Sequence, residues 1–578
     1  MLTRVDRVLF SLVSSVAVCG VPVAWAQCQA WSSGFDTPGN GLDASVIALV
    51  RFDDGTGPAL YAGGQFTSAG GVPAAHIAKW DGSTWSPLGL GVGTGPQDWV
   101  FALAVYDDGT GPALFAGGQF SSAGGVPTRN IAKWYGSHWE ALGVGVGPGA
   151  FDSVGALAVY DDGSGPALYV GGSFVTAGGA PALNIAKWNG ANWSSVGGGV
   201  SNDDAQEATG VSAFAVFDRG SGPELFAGGH FQRAGGVLVN HVARWDGSLW
   251  NSIGGIAAVG TNAVVQSLIV FDDGSAPALF VGGLFTAAGG VPAHDIARWS
   301  GTSWDALGGG IGGPLGRRVY SMTAFDDGGG LALYAGGDFS TADGGPTNRV
   351  ARWRHSHWTP LGSGIGGAWS AYVVYSLAVF ENGSTGGNDL LAGGFFDVAG
   401  GLSSRCIAEW EGCAGRGIEF CFGDGSSAPC PCGNTGSSGR GCDNSATTGG
   451  ALLNGVGTPS LSADTLVLTS SGERATAFSL FLQGSLAVGP LTYGDGLRCV
   501  GGTLKRLYTR NAASGVVSAP QGTEASISTR SLVLGDPIPI GGIRYYQVYY
   551  RDPSPTFCPD PPGNSWNISN ARSVIWGQ

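Results

Sequence analysis

Seven near-copies of one segment occupy most of this 578-residue chain. Each copy contains an apolar run that ends in a polar, mostly acidic turn, and the aromatic residue before the turn marks the copy. The markers are Phe52, Tyr106, Tyr160, Phe217, Phe271, Phe325 and Phe380, at successive distances of 54, 54, 57, 54, 54 and 55 residues. A constant period of this size is typical of repeat architectures, in which each unit buries its apolar surface against its neighbours.

Within one copy the residue pattern indicates four short strands and no helix. The strand-like runs of the second copy are 100–106, 113–115, 130–134 and 139–142, separated by turns rich in Gly, Asp and Pro. Four antiparallel strands per repeat are typical of a β-propeller blade. We therefore predict an all-β chain that contains a seven-bladed β-propeller.

Two side-chain patterns fit this prediction. The first strand of each copy carries small residues, such as Ala102 and Ala104, where seven strands would crowd around an axis. A pair of Trp residues, such as Trp134 and Trp139, recurs in the third and fourth strands, where large rings would fill the space between blades.

The seventh copy lacks its second Trp, and the N-terminal region supplies a match for it. Residues 27–34 align with residues 81–88 of the first copy when Trp31 is placed on Trp85. We predict that this N-terminal strand closes blade seven, which removes an open sheet edge. The same alignment places Cys28 and Cys413 at one hairpin tip, and we predict a disulfide between them.

The repeat resembles the kelch repeat. The similarity rests on a strand ending in Gly-Gly, an apolar-x-x-aromatic strand and a Trp-x-x-apolar strand, as in residues 168–172, 185–188 and 193–196, and it covers about 385 residues. The resemblance implies the propeller fold and says little about function, because kelch-like propellers include enzymes and binding scaffolds. Copper oxidases of this propeller type use His ligands late in the chain, and no His follows His357 here.

The rest of the chain divides into three further parts. Residues 1–26 have the pattern of a secretory signal peptide, and no later stretch is long and apolar enough to span a bilayer, so we expect a secreted or envelope-associated protein. The propeller would occupy residues 27–416, followed by a Cys/Gly-rich linker at 417–450 and a small β-sandwich at 451–578. Strands of the sandwich are predicted at 465–469, 478–482, 504–508, 531–534, 545–550 and 573–576.

The cysteines of the C-terminal part fit disulfides better than a zinc site. Zinc ligands usually come in closely spaced pairs, and the spacing of Cys421, Cys430, Cys432 and Cys442 lacks that pattern. We predict a Cys499–Cys558 disulfide, with the other four pairing among themselves. Cys406 remains as a lone thiol.

Charge excludes some partners. The formal net charge of −14 becomes −15 when the signal segment is removed, so we expect no binding of nucleic acid, and no motif indicates a cofactor. Acidic turns at 53–54, 107–108, 161–162, 218, 272–273, 326–327 and 381 could form a ring of carboxylates for Ca²⁺. Their near-identical use in most copies favours ordinary turn chemistry, with the recurrent Lys or Arg of the third strand partly neutralising them.

The segments that lead into each first strand diverge most, and we expect them to gather on one face as a binding surface. The candidate contacts are Asp98, Trp99, Asp152, Asp203, Asp204, Glu207, Arg317, Arg318, Trp369 and Tyr372. We predict a monomeric, non-catalytic scaffold that binds a protein or glycan there. The alternative is an extracellular polysaccharide hydrolase or lyase, with Asp98, Asp204 and Glu207 as the acids to test first.

Overall fold

The computed structural model describes residues 30–576 except 33, 36–38, 94, 96, 150, 205–208, 256–257, 314–317, 328–330, 368–371, 383–386, 413–418, 426–427, 432, 540–541 and 555–565. The predicted signal segment and the Cys28–Cys413 bridge lie outside these residues. The described part is all-β, with 54% of the residues in strands, and it contains one helix, Ile527–Val533. No helix in that part is long and apolar enough to cross a membrane.

Each of the seven repeats forms one four-stranded antiparallel sheet, numbered here 1 to 7 in the order of their first strands. The strands of sheets 1 to 3 are Val46–Asp53, Pro58–Gly64, Ile77–Trp80 and Trp85–Pro87; Trp99–Asp107, Pro112–Gln119, Ile131–Trp134 and Trp139–Ala141; Ser153–Asp161, Pro166–Ser173, Ile185–Trp188 and Trp193–Ser195. The strands of sheets 4 and 5 are Gly210–Asp218, Pro223–His230, Val242–Trp245 and Trp250–Ser252; Val265–Asp272, Pro277–Gly283, Ile296–Trp299 and Trp304–Ala306. The strands of sheets 6 and 7 are Val319–Asp326, Leu331–Gly337, Val350–Arg354 and His357–Pro360; Val373–Asn382, Gly387–Phe395, Ile407–Glu411 and Ala30–Trp31.

The N-terminal strand completes sheet 7, as predicted. Trp31 lies opposite Trp410 in the antiparallel register, and their ring centroids are 5.4 Å apart. The Trp31 Nε1–H donates to the carbonyl of Leu361 in sheet 6 at 3.0 Å. Trp139 makes the equivalent bond to Leu88 of sheet 1. The two ends of the repeat region therefore share one sheet, with the packing that a complete sheet has.

The seven sheets contact one another in cyclic order through their first strands, and the first strand of sheet 7 contacts that of sheet 1. Seven apolar clusters lie between successive sheets. The cluster between sheets 7 and 1 joins Phe380, Leu391 and Ile407 to Val46 and Leu60. The core of the repeat region is therefore a set of sheet-to-sheet interfaces that closes on itself.

The Gly-Gly pair that ends each second strand is required by this close approach. A Cβ on the first glycine of each pair would lie 2.4–2.7 Å from the Cγ1 of a Val in the next sheet, far inside normal contact. A Cβ on the second would lie 1.9–2.2 Å from a carbonyl oxygen beside the first strand of its own sheet. The motif that carries the kelch resemblance thus marks the tightest packing between sheets.

A short hairpin, which the sequence pattern did not predict, follows the second strand in every repeat. The pairs are Ser68–Ala69 with Val72–Pro73, Ser122–Ala123 with Val126–Pro127, Thr176–Ala177 with Ala180–Pro181, Arg233–Ala234 with Val237–Leu238, Ala287–Ala288 with Val291–Pro292, Thr341–Ala342 with Gly345–Pro346, and Val398–Ala399 with Leu402–Ser403. Strands Val200–Ser201, Ile311–Gly312 and Ile365–Gly366 each extend one of these hairpins, and Gly254–Gly255 pairs with Ala258–Val259.

The described residues of the C-terminal part form three sheets. The largest has the order Glu419–Phe420, Ala571–Ile575, Ile543–Arg551, Phe478–Gly484 and Lys505–Asn511, with Trp566–Ile568 beside Ile543–Arg551. The others are Leu452–Val456, Val467–Ser471 and Val516–Ala519, and the hairpin of Leu486–Tyr493 with Gly496–Gly501. The first two sheets share one apolar core, which includes Leu453, Leu468, Phe481, Tyr546 and Trp576.

Two predictions for the C-terminal part are wrong. The run 531–534 belongs to the helix, which starts after Ser526, whose hydroxyl accepts the Thr529 N–H, so capping decided the local structure. Cys499 pairs with Cys421, not Cys558, because strand Gly496–Gly501 and the segment after Phe420 meet in one apolar cluster. Cys430 pairs with Cys442, while Cys406 is a buried free thiol, as predicted.

Candidate functional site

Every first strand contains a β-bulge near its start. The register with the second strand shifts between Val46 and Ala48 in sheet 1 and at the equivalent place in the other six sheets. One residue per sheet falls within the shift, and we call these the bulge residues: Ile47, Phe101, Gly155, Ser212, Gln266, Tyr320 and Tyr375. Bulges re-aim side chains and are common beside functional sites.

The bulge residues differ in a way that their neighbours do not. The residue before each is Val in all seven sheets. The residue after each is Ala or Ser in every repeat. A chain that repeats the frame of this strand so closely, yet places six residue types at its bulge, keeps the backbone constant and varies one inward position.

A central cavity of about 230 Å³ lies where the seven first strands meet. Residues from all seven strands line it, among them Ile47, Phe101, Ser212, Gln266 and Tyr320. The backbone around it is held partly by side chains. Ser376 in sheet 7 accepts a hydrogen bond from the Leu49 N–H in sheet 1 at 3.1 Å. The lining is thus set on a rigid frame.

Tyr320 lines the cavity and packs against a second tyrosine, Tyr375. The ring centroids of Tyr320 and Tyr375 are 5.3 Å apart at an interplanar angle of 73°, an edge-to-face contact. Burial raises the pKa of Tyr320, Arg318 opposes the rise and Asp338 adds to it. Burial also raises the pKa of Tyr375. Both phenols are therefore neutral hydrogen-bonding groups at physiological pH.

Sheets 2, 4 and 5 contribute further aromatic and hydrogen-bonding side chains in and around the cavity. Trp99 and Phe101 form a second edge-to-face pair, with centroids 5.6 Å apart. Ser212 and Gln266 add a hydroxyl and an amide to the lining. The cavity therefore combines aromatic rings with uncharged hydrogen-bonding groups. Such a mixture suits ligands with both an apolar face and several hydroxyl groups.

The predicted loop contacts fall into several groups. Trp99 and Arg318 lie beside the bulge residues. Asp98 and Asp152 hold their own loops, because each accepts a backbone N–H three residues earlier, from Gly95 at 2.6 Å and Gly149 at 2.7 Å. These two carboxylates are turn-forming groups in the structure.

The other described candidates lie away from the cavity. Asp203 forms an ion pair with Arg233. Tyr372 is 2% exposed and packs in the core between sheets 6 and 7, so its expected role as a surface contact is wrong. Asp204 is exposed on its loop. Glu207, Arg317 and Trp369 lie outside the described residues.

The bulge residues themselves were not predicted. Phe101, Gln266, Tyr320 and Tyr375 sit inside a strand, whereas the prediction favoured the conspicuous divergence of the loops. The sequence does contain one indication of them, which is a single position that varies between copies of an otherwise repeated strand. This difference could be interpreted only once the structure showed where the bulge interrupts the alternation of side chains.

The opposite face carries the acidic turns, and their carboxylates are engaged. Lys79 pairs with Asp54 at 2.7 Å, and Lys133 pairs with Asp108 at 2.5 Å. Burial alone would raise the pKa of Asp54, but hydrogen bonds from Lys79, Thr56 and Tyr61 lower it well below its usual value. The predicted neutralisation by the third-strand cations is thus present, and the geometry favours turn chemistry.

No protein-family model and no curated protein sequence matches the chain. Among solved structures, it is similar to the extracellular domain of a putative one-component system from B. thetaiotaomicron, at 11% identity and a TM-score of 0.39. The match covers 78% of this chain and 47% of that domain, so the chain spans under half of its length. It is also similar to the V. cholerae biofilm matrix protein Bap1, at 11% identity and a TM-score of 0.22, with 95% and 69% covered.

Proposed function

We propose that the seven sheets are the blades of a kelch-like seven-bladed β-propeller, spanning residues 27–416, and that a β-sandwich follows it. The cyclic contacts of the first strands support this proposal. So does the N-terminal strand, which completes sheet 7 with Trp31 against Trp410. The cysteine-rich segment at 417–450 contributes Glu419–Phe420 and two disulfides to the C-terminal unit.

We infer that the chain is a secreted or cell-surface binding protein whose central cavity takes a glycan. The observation that carries this inference is the set of bulge residues, because they place varied aromatic, amide and hydroxyl groups around one point on a constant frame. The secretory pattern at residues 1–26 and the disulfides support a location outside the cytoplasm.

A glycan fits this lining better than a charged partner does. Sugar rings present C–H groups that pack on aromatic faces, and their hydroxyl groups bond to amides and phenols. Residues 27–416 contain 16 Lys and Arg against 31 Asp and Glu, so the surroundings repel anions. The volume of about 230 Å³ suits a terminal sugar of a larger glycan.

The test is a glycan-binding screen with the purified chain, followed by titration calorimetry on each ligand found. Tyr320→Ala should weaken binding at least tenfold, since it removes one ring of the edge-to-face pair. Tyr135→Ala is the matched control, because Tyr135 lies in a hairpin tip at the opposite end of its sheet. Equal affinity of Tyr320→Ala and the unaltered chain would contradict the cavity as the binding site.

A further inference from the structure

A second cavity lies in the C-terminal part, away from the bulge residues. Its volume is about 450 Å³, within the ~300–1,000 Å³ typical of ligand sites. Strand Lys505–Asn511 forms one wall, and Glu524, Ala525 and Arg530 form the other. Arg506 and Arg530 both line this cavity.

Within the described part of the chain, neither arginine forms an ion pair with a carboxylate. Arg530 donates its Nε–H to the carbonyl of Leu507 at 3.0 Å, which fixes the base of the side chain. Among the described residues, no hydrogen bond or ion pair engages its terminal nitrogens or any nitrogen of Arg506. Two like charges facing one cavity repel each other unless an anion lies between them.

Glu524 is the only acidic residue among the described residues that line the cavity, and its carboxylate is engaged by other groups. The Glu524 carboxylate forms an ion pair with Arg510 and also accepts the Gln521 N–H at 2.9 Å. Its charge is therefore balanced by a third arginine. The Tyr508 hydroxyl donates to the Ala525 carbonyl at 2.6 Å, so this side chain is fixed as well. The cavity keeps a positive surplus on an ordered wall.

This local positive charge differs from the charge of the chain as a whole, which is negative. Residues 417–578 contain ten Lys and Arg and ten Asp and Glu, whereas the preceding residues carry all the net negative charge. An anion is therefore repelled by the net charge of the repeat region and attracted locally by this cavity. Guanidinium groups bind carboxylates and sulfates through paired hydrogen bonds, which favours an oriented ligand over a diffuse ion.

We propose that Arg506 and Arg530 form a binding site for the carboxylate of an acidic polysaccharide. The exposed Thr509 adds a hydroxyl to the same wall, which suits a sugar hydroxyl beside the carboxylate. This site is separate from the central cavity, and it would prefer an acidic ligand where the central cavity prefers a neutral one. The chain would then hold a neutral glycan at the repeat region and an acidic one at its C-terminal part.

The test measures binding of a galacturonate hexasaccharide to the purified full chain by titration calorimetry, with a neutral galactose hexasaccharide as comparison. Arg506→Gln should weaken binding of the galacturonate at least fivefold, and added salt should weaken it further. Arg506 is exposed, so the substitution leaves the core intact. Arg129→Gln, which removes an exposed charge from the repeat region, is the matched control and should change nothing.

Four outcomes would overturn the proposal, and the first three concern the hexasaccharides. These are equal binding of the neutral hexasaccharide, an unchanged affinity in Arg506→Gln, and no binding of the galacturonate at all. Inorganic phosphate that binds as tightly as the hexasaccharide would also overturn it, because the site would then recognise a small ion. Tyr320→Ala should leave galacturonate binding unchanged, which separates this site from the one in the central cavity.

Discussion

A Cβ atom placed on Gly393 would lie 2.5 Å from Cγ1 of Val46, although the two residues are almost 350 positions apart. The same relationship holds between each sheet and the next, as between Gly63 and Val100. The contact between the last sheet and the first is therefore as close as any contact between sequential sheets. Closure of the ring at this interface can therefore be tested directly by mutation.

Gly393→Ala should destabilise the protein by about 1–3 kcal/mol, because an extra methyl group in a close-packed interface forces neighbouring atoms apart. Chemical denaturation measures the change. Gly63→Ala should have a similar effect. Gly366→Ala is the control, since a Cβ there meets no atom within 4 Å. A neutral Gly393→Ala beside a destabilising Gly63→Ala would contradict closure.

The Trp31 hydrogen bond tests how fully the N-terminal strand belongs to sheet 7. Trp31→Phe removes the Nε1–H that bonds to Leu361 but keeps a large ring, so we expect a loss of about 1–2 kcal/mol. Trp139→Phe removes the equivalent bond to Leu88 and serves as the reference. A much smaller loss for Trp31→Phe would mean that the strand is bound loosely.

The repeat strands and the place of Trp31 were predictable because a period repeated seven times averages out local ambiguity. Each strand is short, yet the same turn residues and Trp pairs flank it in every copy. The helix Ile527–Val533 and the Cys421–Cys499 bridge occur once, so no such averaging helped there. The pairing also depends on residues 78 positions apart in sequence, which local patterns do not encode.

The candidate site was less predictable for a geometric reason. Loop residues such as Asp98 and Asp152 stood out as variable, yet they bond to their own loops. Tyr320 and Gln266 were hidden within strands, where alternation alone assigns a residue to one face or the other. A bulge breaks that alternation, and its position depends on pairing with the second strand.

The buried carboxyl of Asp295 should make the stability of the folded protein depend on pH. It occupies the position of Asn130 and shares its positive φ. Asn130 accepts the Phe120 N–H and donates to the Val146 carbonyl, whereas a carboxylate has no N–H to donate. Burial raises the pKa of Asp295 to about 7. The folded state therefore binds a proton more tightly than the unfolded state, so stability is lost as pH rises from about 4 through 7.

Asp295→Asn removes this titration and supplies the missing donor. The variant should gain stability over the unaltered chain as pH increases, by about 2–3 kcal/mol between pH 5 and pH 8. Urea denaturation at several pH values measures the difference. Asn184→Asp, which introduces the acid at an equivalent position, should show the opposite trend. Parallel stability curves for Asp295→Asn and the unaltered chain would contradict the assignment.

The register of sheet 7 sharpens the predicted Cys28–Cys413 disulfide, whose residues lie outside the described part. Ala30 lies opposite Glu411, and Trp31 lies opposite Trp410. We predict that this register continues for two residues beyond Ala30, which would set Cys28 opposite Cys413. Directly opposed residues have the separation that a disulfide needs. The bridge would enclose nearly the whole repeat region, so the loop-entropy estimate of its contribution is about 4–5 kcal/mol.

Non-reducing peptide mapping should recover Cys28 linked to Cys413. Cys28→Ser with Cys413→Ser should lower the denaturation midpoint strongly, while Cys406→Ser, which alters the buried free thiol, controls for the loss of a cysteine side chain. The double variant should also bind glycan like the unaltered chain at low temperature, because Ala30 and Glu411, next to which we expect the bridge, lie at the end of sheet 7 away from the bulge. Recovery of Cys28 in any other linkage would show that the register changes beyond Ala30.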